Sequence, residues 1–179
     1  MASPKAAQTG VSTALTQRTK PRTQKITSFL WFNNNAEEAV NFYLSVFKNS
    51  KILGSIPYGE AGPGPKGSIM VIDFELDGQE FTALNGGPDF KFNEAMSLVV
   101  HCKSQQEVDY FWDKLGEGGK IIDCGWLKDK YGVVWQIVPD VLLDLIQDSD
   151  QQKSQRVMKA MMTMKKFDIN KLQQAAAGK

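Results

Sequence analysis

The sequence predicts an α+β fold made of two tandem βαβββ modules, which are followed by C-terminal helices. Segments rich in β-branched and aromatic residues alternate with segments whose apolar residues recur at the helical period of about 3.6. The order strand, helix, strand and hairpin occurs twice along the chain, which indicates an internal repeat. From Pro139 to Lys179 the pattern is helical only.

The first 25 residues precede this pattern and differ from the rest of the chain in charge. They contain five basic residues and no acid, so they carry +5 and the remaining chain carries −4. Because almost no large apolar residue occurs there, we predict that residues 1–25 form a flexible basic tail. Their Ser- and Thr-rich composition leaves open an organelle transit peptide, whereas the sparse spacing of the basic residues does not favour nucleic-acid binding.

The first module is predicted over residues 26–87. Its first strand, Ile26–Phe32, leads to a helix that Asn35 is expected to cap, with Glu38 in the capping-box position. The apolar stripe of this helix comprises Ala39, Phe42, Tyr43, Val46 and Phe47. A hairpin turn is predicted at Asp77-Gly78. The other strands of the module are predicted at Lys51–Ile56, Ser68–Leu76 and Glu80–Leu84.

The second module is predicted over residues 95–138. It begins with the strand Ala95–Cys102, and Ser104 is expected to cap the following helix with Glu107 as its partner. The apolar stripe of that helix comprises Val108, Phe111, Trp112 and Leu115. Three short strands follow, at Lys120–Asp123, around Trp126-Leu127 and at Val133–Val138.

A helical extension is predicted over residues 139–179. Its apolar periodicity places helices at Val141–Gln147, Ser154–Met164 and Ile169–Ala177. The methionines of the extension occur at helical spacing, which favours a role in the core or in an oligomer interface over a soft binding surface.

The composition excludes several classes of protein. The 179 residues hold 21 Lys and Arg against 20 Asp and Glu, one histidine and two cysteines. Two cysteines are too few for a disulfide scaffold, which indicates a reducing compartment such as the cytoplasm. A single histidine, His101, excludes a three-histidine zinc centre. No apolar run approaches the ~20 residues that cross a bilayer.

The internal repeat can be tested by its register. The helical stripes of the two modules superpose at an offset of 69, which places Ser28 on Ser97. The hairpin turns superpose at an offset of 54, which places Thr82 on Gln136. The second copy has therefore lost about fifteen residues, most of them from the Gly/Pro loop of the first.

Two motifs are judged not to be functional. The stretch from Gly62 to Gly67 satisfies the G-x-G-x-x-G pattern, but a strand follows it and two prolines remove backbone amides that a pyrophosphate would need. Cys102 and Cys124 lie in no CxxC motif and near no cationic cluster, so we do not expect reactive thiols.

Four long stretches resemble the PhnB-like branch of the vicinal oxygen chelate superfamily, which includes glyoxalases, bleomycin-resistance proteins and dioxygenases. They are LWFNNNAEEAVNFY, ELDGQEFTALNGGPDF, CGWLKDKYGVVWQIVPD and RVMKAMMTMKKFDINKL. The resemblance spans residues 26 to about 174. It implies that the two modules form a cup-shaped mixed sheet over residues 26–138 and that two chains form a homodimer. Members of the branch are often described as 3-demethylubiquinone-9 3-methyltransferase-like.

The resemblance also implies where a metal would be held. Family enzymes bind a divalent ion with one side chain from the first and one from the last strand of each module. The matching residues here are Ser28, Thr82, Ser97 and Gln136. None is a histidine or an acid, and neutral oxygens alone do not offset the dehydration of a divalent ion. We therefore expect no metal and no other cofactor.

The sequence thus favours a metal-independent protein that binds a small molecule. The expected ligand-binding residues are Ser28, Thr82, Asn85, Ser97, Trp126 and Gln136. An alternative is an isomerase or lyase in which His101 transfers protons, because His101 lies on the strand face of Ser97. A third hypothesis is that the protein is a structural or regulatory partner with a vestigial cup. No nucleic-acid or membrane partner is expected.

Overall fold

The computed structural model describes residues 17–18 and 21–179. The order of its elements confirms the predicted α+β class and the two βαβββ modules. The chain divides into two compact units, the first ending at Lys91 and the second running from Phe92 to Lys179. Residues 1–16, 19 and 20 of the predicted tail lie outside the described residues, so the flexibility of the tail stays a prediction.

The first unit contains a four-stranded mixed sheet and one helix. Its elements are β1 (Ser28–Phe32), α1 (Ala36–Val46), β2 (Ser50–Pro57), β3 (Ile69–Leu76) and β4 (Gln79–Asn85). The strand order is β1-β4-β3-β2, with β1 parallel to β4 and the other pairs antiparallel. Asp77 and Gly78 have positive φ, 46° and 85°, which confirms the predicted tight turn between β3 and β4.

The core of this unit lies between α1 and one face of the sheet. Ile72, Phe74 and Ala83 are fully buried there. Phe74 stacks on Phe81 with ring centroids 5.4 Å apart. Ile72 and Phe74 share this buried face because successive side chains of a strand point to opposite sides.

The start of α1 differs from the prediction. Asn35 occupies the N-cap position, but its side chain makes no capping hydrogen bond. The cap comes instead from β4, where Asn85 Oδ1 accepts a hydrogen bond from the Ala36 amide at 2.9 Å. A residue 49 positions further along the chain thus performs the role that local sequence assigned to Asn35.

The second unit repeats this arrangement and adds three helices. Its first part comprises β5 (Leu98–Cys102), α2 (Gln105–Gly116), β6 (Lys120–Ile121), β7 (Trp126–Lys128) and β8 (Val134–Pro139). The strand order is β5-β8-β7-β6, with β5 parallel to β8. Ser104 caps α2 as predicted, because its side chain accepts a hydrogen bond from the Glu107 amide at 3.3 Å.

The C-terminal helices are α3 (Asp140–Ile146), α4 (Gln151–Met161) and α5 (Ile169–Ala176). They pack with the end of β8 around a buried cluster that includes Val138, Leu142, Val157, Phe167 and Leu172. Of the methionines, Met164 is buried in this cluster, whereas Met158 and Met162 are exposed. Within the described ranges, no helix has the length and apolar character needed to span a membrane.

Candidate functional site

The face of the second sheet that lies opposite to α2 brings together four of the predicted site residues. On the α2 side, Leu127 and Ile137 are fully buried. On the other side, Gln136 of β8 pairs with Val99 of β5 and with Trp126 of β7. Paired residues of neighbouring strands point to the same side of a sheet. We call this surface the second-module face; it comprises Ser97, Val99, His101, Trp126 and Gln136.

A hydrogen bond joins the two residues that the repeat placed at metal positions of this module. Gln136 Nε2 donates to Ser97 Oγ at 2.8 Å. Both side chains are half-buried. The described residues supply no hydrogen bond to Gln136 Oε1, so this amide oxygen is still able to accept one.

His101 lies on the same face and has a carboxylate neighbour that the sequence did not reveal. Its Nδ1 atom is 3.6 Å from Asp140 Oδ1, at the first residue of α3. The imidazole side chain is 59% exposed. This distance is longer than a hydrogen bond but is within the range of an ion pair when the imidazole is protonated. Asp140 therefore places a carboxylate next to the imidazole on this face.

Apolar surface lies beside these polar groups. Val99 is 46% exposed, although it is in the middle of a strand. The Trp126 indole is half-buried at the β7 edge of the face. A surface that combines exposed apolar side chains with a few fixed polar groups is typical of small-molecule sites.

The first sheet does not bring its two predicted metal positions together. Ser28 pairs with Phe81, which packs on the α1 side, whereas Thr82 pairs with Phe29 on the opposite side. If the repeat register held throughout, Ser97 of the second module would pair with Trp135, as Ser28 pairs with Phe81. Instead Leu98, one residue later in the chain, pairs with Trp135. A shift of one residue moves every side chain of a strand to the other face, so the repeat register fails for Ser28.

Thr82 instead belongs to a polar cluster that sequence reasoning missed. Its Oγ1 atom donates to Asp73 Oδ1 at 2.6 Å. Glu80 lies two residues before Thr82 on the same face, and both acids are buried, at 6% and 3% exposure. The guanidinium of Arg18 holds the pKa of Glu80 below its usual range. The strand alternation of β3 and β4 was the signal that could have located this cluster.

Asn85 lines a pocket of about 520 Å³ at the N-terminus of α1, but its amide is engaged within the protein. Besides capping Ala36, it donates to Glu37 at 2.6 Å and to the Ile69 carbonyl at 2.9 Å. Tyr58 also donates to the Asn85 carbonyl oxygen. The structure thus shows Asn85 as a residue that positions the pocket wall.

Aromatic rings fill the space beside Gly86 and Gly64, two glycines at which a ligand could otherwise approach the backbone closely. A Cβ atom at Gly86 would lie 2.3 Å from the Trp31 indole, so this glycine makes room for Trp31. A Cβ atom at Gly64 would lie 2.3 Å from the Tyr58 ring. The Gly/Pro loop therefore packs over Tyr58 and leads into β3, which agrees with its rejection as a dinucleotide-binding motif.

The residues at the family's metal positions do not fit a divalent ion. Ser28 faces away from Thr82. The Thr82 hydroxyl is hydrogen-bonded to Asp73, and the Gln136 amide is hydrogen-bonded to Ser97. All four side chains would offer a metal ion only uncharged ligand atoms. In the part of the chain that the structure describes, no three His, Cys, Asp or Glu residues lie close enough together to hold a metal ion.

The two cysteines differ in their environments. Cys102 is buried on the α2 side of β5, and burial, followed by the charges of Glu107 and Asp140, raises the pKa of its thiol to about 12. Cys124 is half-buried, with its Sγ atom 3.8 Å from Met162 Sδ. Because only thiolates react rapidly, the two thiols should be distinguishable by chemical modification.

We expect iodoacetamide to modify native Cys124 at least about 100 times faster than native Cys102 at pH 8, because a thiol with the pKa of Cys102 is ionised at roughly 10⁻⁴ there. Peptide mass spectrometry gives both rates. Cys124→Ser should abolish the rapid reaction and Cys102→Ser should leave it unchanged. Equal native rates would contradict the buried placement of Cys102.

The folded state holds the proton of the Cys102 thiol more tightly than the unfolded state does. The stability of the folded protein should therefore fall as the pH rises above the ordinary thiol pKa.

Comparison with known proteins gives a consistent set of similarities. A family described as 3-demethylubiquinone-9 3-methyltransferase matches residues 24–138. A PhnB protein from Bacillus cereus, described as a 3-demethylubiquinone-9 3-methyltransferase, is 42% identical, with a TM-score of 0.60. The match covers 65% of this chain and 99% of that protein. No curated protein matches the chain.

Two further solved structures show similarity of fold alone. Protein PA1353 from Pseudomonas aeruginosa is 22% identical, with a TM-score of 0.55, over 65% of this chain and 98% of that one. The fosfomycin resistance protein FosX from Listeria monocytogenes is 13% identical, with a TM-score of 0.50, over 70% of this chain and 98% of that one. Both similarities agree with the two-module architecture.

Proposed function

The chain belongs to this family, in the PhnB-like branch of the vicinal oxygen chelate superfamily, and on that premise we propose that it is a metal-independent protein that binds a small molecule. The observation that carries the proposal is the second-module face. There, the Ser97–Gln136 hydrogen bond lies between exposed Val99 and half-buried Trp126. This places an oriented polar pair within an accessible, partly apolar surface.

The chemistry of this face indicates the class of ligand. Trp126 and Val99 supply apolar contact area, and aromatic rings contribute much of the affinity in small-molecule sites. Gln136 offers an amide oxygen and Ser97 a hydroxyl, which suit a neutral hydrogen-bonding group better than a bare ion. The proposed ligand is therefore a partly apolar molecule that carries a hydroxyl, carbonyl or amide group.

The description of the family as a methyltransferase is not part of this proposal. A methyl-donor site of the dinucleotide-binding type needs a glycine-rich turn between a strand and a helix N-terminus. The Gly/Pro loop of this chain connects β2 to β3 and packs over Tyr58. The methyltransferase description therefore has no support in these residues.

A thermal-shift screen tests the proposal. A compound that binds only the native protein raises its apparent Tm, and the shift grows with concentration. We expect neutral, partly apolar compounds to raise the Tm equally with and without EDTA. Shifts that require a divalent metal would contradict metal independence. A screen in which no compound of this class raises the Tm would instead favour a structural or regulatory partner with a vestigial site.

A second candidate, a metal-independent isomerase or lyase, is favoured by the contact between His101 and Asp140. The Asp140 carboxylate lies 3.6 Å from His101 Nδ1, so the face combines an imidazole with a neighbouring acid, the two groups that proton transfer uses. His101 would take a proton from a carbon atom of the ligand and, in an isomerase, return it to another position. The exposure of His101 on the second-module face leaves the imidazole accessible to such a ligand.

If His101 is catalytic, His101→Gln should lower turnover at least about 100-fold while the affinity for the bound compound stays within a factor of two. Proton exchange from the compound into deuterated water, followed by NMR, measures the turnover. Asp140→Asn should lower turnover less than His101→Gln does, because it keeps the imidazole. If His101→Gln exchanged protons of the compound at the wild-type rate, His101 would not be catalytic, and ligand binding without catalysis would be the proposed function. The homodimer and the cytoplasmic location stay predictions of the family resemblance and the composition.

A further inference from the structure

The first unit has a pocket that shares no residue with the second-module face. It is the pocket beside Asn85 at the N-terminus of α1, here called the Asn85 pocket, and its volume is about 520 Å³. Small-molecule sites in proteins commonly have volumes of roughly 300 to 1,000 Å³. Its lining, among the described residues, includes none of the family's four metal positions. The pocket is therefore a separate candidate for binding a ligand.

Prolines and an aliphatic side chain supply much of the wall of this pocket. Pro63 and Pro65 come from the loop between β2 and β3, and Pro88 comes from the segment after β4. Ile69, at the start of β3, adds apolar surface. Tyr58 is 7% exposed because the loop packs on its ring. Since proline rings fix the backbone φ angle, these walls form a stiff cavity with apolar surface.

One carboxylate is fixed in this pocket, that of Glu37 in the first turn of α1. Its Oε2 atom accepts a hydrogen bond from Asn85 Nδ2 at 2.6 Å. Asn85 is only 5% exposed and is itself held by hydrogen bonds to the Ala36 amide and the Ile69 carbonyl. Glu37 is half-buried, and the described residues supply no hydrogen bond to its Oε1 atom. The second oxygen of an oriented carboxylate is thus able to accept a hydrogen bond from a ligand.

Three side chains around Glu37 use their hydrogen-bond donors within the protein. The Tyr58 hydroxyl donates to the Asn85 carbonyl, and Ser68 Oγ donates to the Pro65 carbonyl at 2.6 Å. Both amide hydrogens of Asn85 are also used. Ser68 Oγ keeps its lone pairs, and the prolines of the wall carry no N–H group. A ligand that donates hydrogen bonds therefore fits this pocket better than one that accepts them.

The charge around the pocket favours a cation. Among the described residues that line it, Glu37 is acidic and none is basic. Lys66, in the adjoining loop, is exposed and forms an ion pair with Glu60. Glu37 and Glu38 both lie in the first turn of α1, where they outweigh the positive end of the helix dipole, which is equivalent to about half a unit charge. A ligand cation would thus meet an opposite charge and a hydrogen-bond acceptor at the same point.

We propose that the Asn85 pocket binds a small organic amine, with its ammonium group against Glu37 and its apolar body against the prolines. An ammonium group has donors and no acceptor, which matches the acceptors Glu37 Oε1 and Ser68 Oγ. A carboxylate or phosphate group would be repelled by Glu37. This site goes beyond the proposed function, which concerns neutral compounds on the second-module face, and neither site requires the other.

2-Phenylethylamine and 2-phenylethanol are matched probes, because they share an apolar body and differ in the charged ammonium group. Heteronuclear NMR titration of the wild type should give a Kd at least about tenfold lower for the amine than for the alcohol. Glu37→Gln keeps an acceptor for Asn85 but removes the charge, so the two Kd values should come within about a factor of two. Glu38→Gln is the matched control: it removes the same charge from an exposed neighbour that does not line the pocket, and it should keep the preference.

The same titrations locate the site. The amine should shift the backbone amide signals of Gly86 and Gly87, which line the pocket, and leave those of Val99 and Gln136 unchanged. Absence of amine binding, equal affinity for the two probes, or an undiminished preference in Glu37→Gln would each overturn the proposal. So would shifts confined to the second-module face, a result that needs only the wild type and decides the question even if the variant is unstable. The thermal-shift screen with neutral compounds tests the proposed function independently, so the two can fail separately.

Discussion

Replacing Asn85 with alanine is expected to lower the free energy of unfolding by roughly 3 kcal/mol, and the Tm by roughly 6 to 12 °C. The substitution removes the cap of the Ala36 amide and leaves the Ile69 carbonyl without its donor. It also frees Glu37 from its 2.6 Å hydrogen bond. Asn85 is 5% exposed, so water cannot readily replace these partners. Urea titration followed by circular dichroism measures the change.

Asn33→Ala is the matched control for this prediction, because it removes the same side chain from an exposed position at the end of β1. We expect it to change the free energy of unfolding by less than about 0.5 kcal/mol. If Asn85→Ala were as stable as Asn33→Ala, the long-range cap of α1 would be wrong. Asn35→Ala should also have little effect, since the Asn35 side chain makes no capping bond.

Replacing Gln136 with leucine is expected to weaken binding of the compound with the largest thermal shift about tenfold. Leucine has a similar volume, so it preserves packing but removes the amide that bonds Ser97 at 2.8 Å. It also removes the acceptor that the second-module face offers to a ligand. Isothermal titration calorimetry with the wild type and the variant gives the ratio of the two Kd values.

Gln152→Leu makes the same chemical change on the exposed surface of α4 and should leave the Kd unchanged. Ser97→Ala should weaken binding less than Gln136→Leu, because it removes one partner of the pair but keeps the amide. Equal affinities of Gln136→Leu and Gln152→Leu would place the ligand elsewhere. The Asn85 pocket would then be the next surface to examine by substitution.

The elements that short-range patterns specify were predicted well. Ser104 and Glu107 lie three residues apart and form their hydrogen bond as expected. The Asp77-Gly78 turn joins adjacent strands, so its signal is also local. Period-two alternation predicted that Ser97 and His101 share one face, and the pairing of β5 with β8 agrees with this. These features depend on neighbours along the chain or on one strand, which a sequence pattern can capture.

The features that depend on pairing between distant segments were not predicted. The cap of α1 comes from Asn85, 49 residues away, and no local pattern distinguishes it from Asn35. Ser28 is on the α1 side because β1 pairs one residue out of step with its repeat. Likewise, Arg18 and Arg22, which form ion pairs with Asp73, lie 51 or more residues earlier, in a segment whose composition predicted a flexible tail.

Affinity measured in EDTA tests the central claim most directly. The compound with the largest thermal shift is titrated into wild-type protein by calorimetry, first in EDTA and then with a divalent metal added in its place. We predict a single site per chain with the same Kd in both conditions, and the Gln136→Leu variant should bind about tenfold more weakly in each. Binding that disappears in EDTA, or that Gln136→Leu leaves intact, would contradict a metal-independent site on the second-module face.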